Sequence, residues 1–149
     1  MSRFFDLDAA NETLPELRTI LETLRDERAQ LIALRDEFAR RAALEVTPGE
    51  AAAGRVPDDA AQRNREDAVE RKRLRLRMQG VIDQMQAGVA RIDELGVTLR
   101  EIETGLVDFP ALVNGRQVWL CWRLGEGDVE WWHELSDGFG GRHPLIELA

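Results

Sequence analysis

The sequence predicts an α+β fold: a long antiparallel helical hairpin of coiled-coil character, closed by a small three-stranded antiparallel β module at the C-terminal end. Two apolar patterns and one shift in composition predict it. From Leu14 to Ala42 the apolar residues step by three and four, and from Met78 to Leu99 they do so again, which is the spacing of a helical seam. After Gly105 the period changes to strand-like alternation, and all four tryptophans (Trp119, Trp122, Trp131 and Trp132) lie there.

The first helix is expected over 6–44. Asp6 can cap a first turn, and Thr13-Leu14-Pro15-Glu16 has the form of a capping box with proline in the first helical turn. Its seam reads Leu14, Leu17, Leu21, Leu24, Leu31, Phe38 and Ala42, with Arg28 and Arg35 at seam positions. Either the stripe drifts toward Ile32 and Leu34, or the arginine stems lie along it with their heads in water. Over 45–64 the pattern lapses around Pro48, Gly49, Gly54 and Pro57, which reads as a linker. The second helix is expected from Asp58 or Asp59 to Thr104. Its seam is Met78, Ile82, Met85, Val89, Ile92 and Leu99, Gly96 fills a seam slot, and Gly105 is the left-handed cap. Each helix is about 45 Å or longer at 1.5 Å per residue.

The Trp-rich module occupies 106–149. LVDFPALV and RQVWLCWR flank Asn114-Gly115, a strong hairpin signal, and VEWWHEL supplies a third strand. Alternation puts Val118, Leu120 and Trp122 on one face and Trp119, Cys121 and Arg123 on the other. The antiparallel hairpin brings Phe4, Phe5 and Asn11 beside this module and leaves the linker at the far end. The 149 residues are expected to form a single domain.

Composition excludes several function classes. A net charge of −8 disfavours adsorption to nucleic acid and anionic membrane. The basic run Arg71-Lys72-Arg73, Arg75, Arg77 is interleaved with Glu66, Asp67 and Glu70 and has no aromatics for base stacking. One cysteine, Cys121, makes neither an intrachain disulfide nor a multi-cysteine zinc site. Acidic residues interrupt the N-terminal apolar stretch and no uncharged run reaches the ~20 residues of a membrane span, so a cytoplasmic location is expected.

Polar residues in the module are the candidate site. A histidine near carboxylates suits a base or a metal ligand, but His133 and Glu134 point to opposite faces of a strand, and a histidine bonded structurally to a carboxylate is the expected state. A metal set of His133, His143 and a carboxylate is the lesser alternative. Gly138-Phe139-Gly140-Gly141-Arg142 reads as a turn, because no helix follows to complete a phosphate loop.

The stretches FFDLDAANETLPELR, ELGVTLREIETGLVDFPA, LCWRLGE, WWHEL and GFGGRHPL resemble a family of small bacterial and archaeal proteins known only as a domain of unknown function. The resemblance covers about half the chain. It implies two helices plus a β module with a variable middle, and it implies no reaction. The polar residues it matches are Asn11, Asp108, Cys121, Arg123, Glu126, His133 and Arg142, which are the ligand-binding candidates.

The expected function is therefore a binding or scaffold protein without a cofactor or metal. Its helices would associate as a homodimer, and its module would hold a peptide or small anionic ligand near Arg123 and Arg142. The alternative is a small hydrolase-like enzyme or metal-binding protein that uses His133 with Cys121, Asp108 or Glu126.

Overall fold

The computed structural model describes residues 3–43 and 58–148; the linker residues 45–57 lie outside the described residues. The chain is α+β. Helices α1 (Leu7–Ala43) and α2 (Asp58–Glu94) form a hairpin, followed by strands β1 (Thr98–Glu101), β2 (Leu106–Val113), β3 (Arg116–Arg123), β4 (Trp131–His133) and β5 (His143–Pro144), with short 3-10 turns at Phe139–Gly141 and Leu145–Leu148. The sheet is antiparallel in the order β1-β2-β3-β4-β5, five strands where the sequence predicts three. No helix of the described residues is long and apolar enough to cross a membrane. The chain divides into two compact units, Ala29–Gln84 and the residues on either side of it.

Within Ala29–Gln84 the two helices run antiparallel. Arg41 reaches Asp67 at 2.8 Å, and Arg75 lies 5.4 Å over the Phe38 ring. Leu34, Ala60, Leu74 and Val81 are the buried apolar residues here. Leu34 is buried while Leu31 and Phe38 are only half so, so the α1 stripe drifts as the charged Arg35 requires. Arg35 stays in solvent beside Asp36. In the basic run, Arg73 faces Glu70 at 3.5 Å, a helical pairing of the expected kind.

In the other unit α1 begins where Asp6 caps it, Oδ1 accepting the Ala9 N–H at 2.7 Å. The capping box at Thr13 does not form. The helix runs through Pro15, and Thr13 Oγ1 donates back to the Ala9 carbonyl at 2.9 Å. The proline loses one helical hydrogen bond. Burial of Leu14, Leu17, Leu21 and Leu24 holds the segment helical, at roughly 1.5–3 kcal/mol for each fully buried side chain. On α2 the facing line is Met85, Gly88 and Ile92, and Val89 is exposed. Gly88 replaces the expected Val89 because Leu24 fills the space of a side chain there: an added Cβ would meet Leu24 Cδ2 at 3.0 Å.

Helix α2 stops at Glu94, ten residues before the expected Thr104. The Gly96 N–H donates to the Asp93 carbonyl, the Val97 N–H donates to that of Ile92, and Gly96 sits at φ +83. This is a Schellman stop, with Ile92 and Val97 both buried in the one core. Gly96 is thus the helix cap, and Gly105 (φ +67) turns β1 into β2. Leu99, read as helical seam, is a strand residue.

The Asn114-Gly115 turn forms as expected, with φ of 52 and 78, the two positive angles of a type I′ hairpin. It sets the register from Leu106↔Arg123 to Val113↔Arg116. Alternation then buries Val107, Phe109, Ala111, Val118, Leu120 and Trp122 in the core with the α1 leucines, joined by Trp132. The N-terminal segment does reach this module. The Phe5 N–H donates to the Pro110 carbonyl at 2.7 Å, and its ring meets Phe109 edge-on at 5.1 Å.

Candidate functional site

The outer face of the sheet carries the chemistry. Its register sets Asp108 opposite Cys121 and Trp119 opposite His133, and strand parity turns these side chains away from the core. Asp108 and His133 are the buried charged or polar residues of the described chain, and Cys121 is buried with them.

Asp108 is the hub. Its Oδ2 accepts from Arg100 Nε at 2.8 Å and its Oδ1 faces His133 Nε2 at 3.0 Å, and the Cys121 sulfur lies within 4.8 Å of this pair. Arg100 is the extra residue where the β1–β2 register shifts, a bulge of the kind that re-aims a side chain beside a site, and it stacks 4.9 Å over Trp119. His133 Nδ1 lies 2.8 Å from the Glu134 carbonyl. A carbonyl only accepts, so Nδ1 carries a hydrogen, and the Nε2–Oδ1 contact needs one further proton between the pair.

Burial, foremost, pushes the Cys121 thiol up to about 12. The Asp108 and Glu126 charges add to this, while Arg142 opposes them. The thiol is therefore protonated at neutral pH and is a poor nucleophile. Two outcomes are expected. Alkylation of Cys121 by iodoacetamide at neutral pH is slower than in the urea-unfolded chain by about 100-fold or more. Because the folded value lies above the unfolded one, the thiol's contribution to stability is complete below about pH 9 and declines as pH rises toward 12. Urea midpoints across that range should fall less in Cys121→Ser than in the wild type.

Around this floor stands a cavity of about 270 Å³, lined by Arg100, Leu106, Asp108, Cys121, Leu135, Asp137, Gly138 and Phe139. The segment after β4 walls the outer face without filling it. Beside it, Arg142 Nη2 bonds both Glu126 oxygens at 2.8 Å, and the guanidinium lies 4.8 Å from Trp131 and 4.5 Å from Phe139. With its side chain only 9% exposed, Arg142 is a latch between the tail and the β3–β4 loop. The Glu126 Oε1 also accepts the Arg123 N–H at 2.8 Å.

Of the residues predicted from sequence, Asp108, Cys121 and His133 converge, and Glu126 and Arg142 form the adjoining latch. Arg123 is exposed, its guanidinium 4.9 Å over Phe139. Asn11 stands elsewhere: its Oδ1 accepts the Val129 N–H at 2.7 Å, and it lines a different cavity with Val129 and Leu145. His143 does not meet His133. It pairs with Trp132 across β4 and β5, on the opposite face, and contacts Glu147 at 3.2 Å. The expectation of a histidine bonded to a carboxylate holds. Sequence reasoning missed Arg100 because it lay inside the predicted second helix, and it missed the lining residues Leu135, Asp137 and Phe139. The Leu95-Gly96-Val97 stop followed by Thr98-Leu99-Arg100 is the signal that places Arg100 on a strand.

No match is found among curated proteins or solved structures. One family model covers the chain from residue 3 to residue 145, and with it every residue of the Asp108 cluster and its latch; this chain belongs to that family, the uncharacterized conserved protein family DUF2203.

Proposed function

We propose that this chain is a ligand-binding module rather than an enzyme, and that the ligand enters the cavity above Asp108 and Cys121. The observation that carries this reading is the meeting of three buried ionisable groups, Asp108, Cys121 and His133, of which the first two line an open cavity. Such groups are costly to bury, and a few convergent polar groups beside a cavity are the usual make-up of a binding site. Binding is favoured over catalysis because no poised nucleophile and base meet among the described residues. The thiol is held protonated, and both His133 nitrogens are engaged. The site moves from the expected Arg123 and Arg142, since Glu126 already neutralises Arg142. The helices are the frame in this reading. On α2, Val69 and Leu76 are exposed one heptad apart, an apolar pair suited to association with a second copy, which sedimentation velocity reads directly.

A library of fluorinated fragments, screened by NMR against the 15N-labelled chain, tests the cavity. The expected result is shifts confined to the amides of Cys121, Leu135, Gly138 and Phe139, abolished by Leu135→Trp, which fills the mouth. If neither fragments nor divalent metal ions move those amides, the reading is wrong.

A further inference from the structure

Resting on the cavity reading, we infer that the floor is a transition-metal site: Asp108 Oδ1, Cys121 Sγ and His133 Nε2 bind one zinc-like divalent cation, whose fourth position opens to the cavity. Four observations carry it. One ligand atom from each residue lies within 4.8 Å of the others. Tetrahedral zinc ligands lie about 3.3–3.8 Å apart, so small side-chain rotations close the set. The His133 ring is already oriented as metal-bound histidines are, with Nδ1 donating to the Glu134 carbonyl at 2.8 Å and Nε2 presented to the ion. The Asp108 carboxylate is fixed in the same way, Arg100 holding Oδ2 at 2.8 Å and leaving Oδ1 toward His133. Finally, three protein ligands beside an open cavity are the arrangement of zinc sites that keep a position for water or a further ligand.

The donor set selects the ion. One sulfur, one imidazole nitrogen and one carboxylate oxygen suit zinc or cobalt, whereas magnesium and calcium require oxygen shells. On binding, the Cys121 proton and the proton shared by His133 and Asp108 leave to solvent. The two positive charges of the ion are then met by the thiolate and the carboxylate. Of the further charges nearby, Arg100 and Asp137 on the cavity wall sum to zero, and Arg142 is paired with Glu126.

The test uses the full chain freed of metal by a chelator. Cobalt(II) titration should give one equivalent bound, with a sulfur-to-cobalt charge-transfer band in the near ultraviolet. Zinc calorimetry should show the same stoichiometry, weakened at least 100-fold in Cys121→Ser and in His133→Gln and unchanged in Glu147→Gln. Bound cobalt without the sulfur band in the wild type would overturn the inference, and this readout needs no variant to fold. Zinc binding in Cys121→Ser equal to wild type would overturn it as well. If the fluorinated fragments shift the cavity amides while zinc and cobalt do not bind, the metal inference fails and the cavity reading stands.

Discussion

Replacing Asp108 with alanine is expected to destabilise the metal-free protein by about 3–5 kcal/mol, the usual cost of removing one member of a buried charged network. The magnitude follows from what is left behind. Buried His133 Nε2 loses its partner, and a buried polar group left unpaired pays its full desolvation cost. Arg100 loses its partner too, but its side chain is 42% exposed and recovers solvent. Arg100→Ala is expected to cost less, about 1–3 kcal/mol, because it leaves the buried Asp108 Oδ2 without its donor while His133 stays paired. Urea unfolding followed by tryptophan fluorescence measures both. If Asp108→Ala costs as little as Arg100→Ala, the carboxylate is not the hub of the outer face.

Gly105→Ala is expected to cost about 3 kcal/mol, from two separable sources. At φ +67 any side chain pays the left-handed backbone penalty of about 1–2 kcal/mol. The new Cβ would also lie 2.5 Å from Leu124 Cβ. That atom is fixed to the backbone and cannot rotate aside, so the end of β3 must shift, an overpacking cost of about 1–3 kcal/mol. Gly115→Ala is the control. It shares a positive φ of 78 but meets nothing within 4 Å, so only the backbone term applies. Thermal melts of both variants give the clash by difference, and equal melting temperatures would show that Leu124 yields freely. Because Leu124 precedes the Glu126 latch, Gly105→Ala should also speed Cys121 alkylation.

The helical hairpin was readable because its signal is local. Apolar residues three and four apart declare a face before any partner is known, and Asn114-Gly115 declares its turn within two residues. The seam was less readable in detail. Val89 looks like the seam residue from composition, yet Gly88 takes that position because Leu24 occupies the space. A glycine that admits a neighbour carries no hydrophobic signal of its own. The same blindness placed Thr98–Glu101 in a helix. Leu99 and Ile102 extend an apolar rhythm that two backbone hydrogen bonds around Gly96 bring to an end. Strands of four and two residues, β1 and β5, are too short to show a pattern of their own and are defined by their pairing with β2 and β4.

By itself the sequence determined the fold class, the hairpin turn, the face parity of β3, and the C-terminal module as the place where Asp108, Cys121 and His133 lie. Parity is a property of the chain, so it could be counted. Only the tertiary structure decided that these three side chains share one point. That depends on two strand registers at once, Asp108 opposite Cys121 and Trp119 opposite His133, and on a bulge that supplies Arg100. It also decided that Arg142 is neutralised and Asn11 stands apart. Pairing across a sheet is a non-local choice, made by the whole core when it closes.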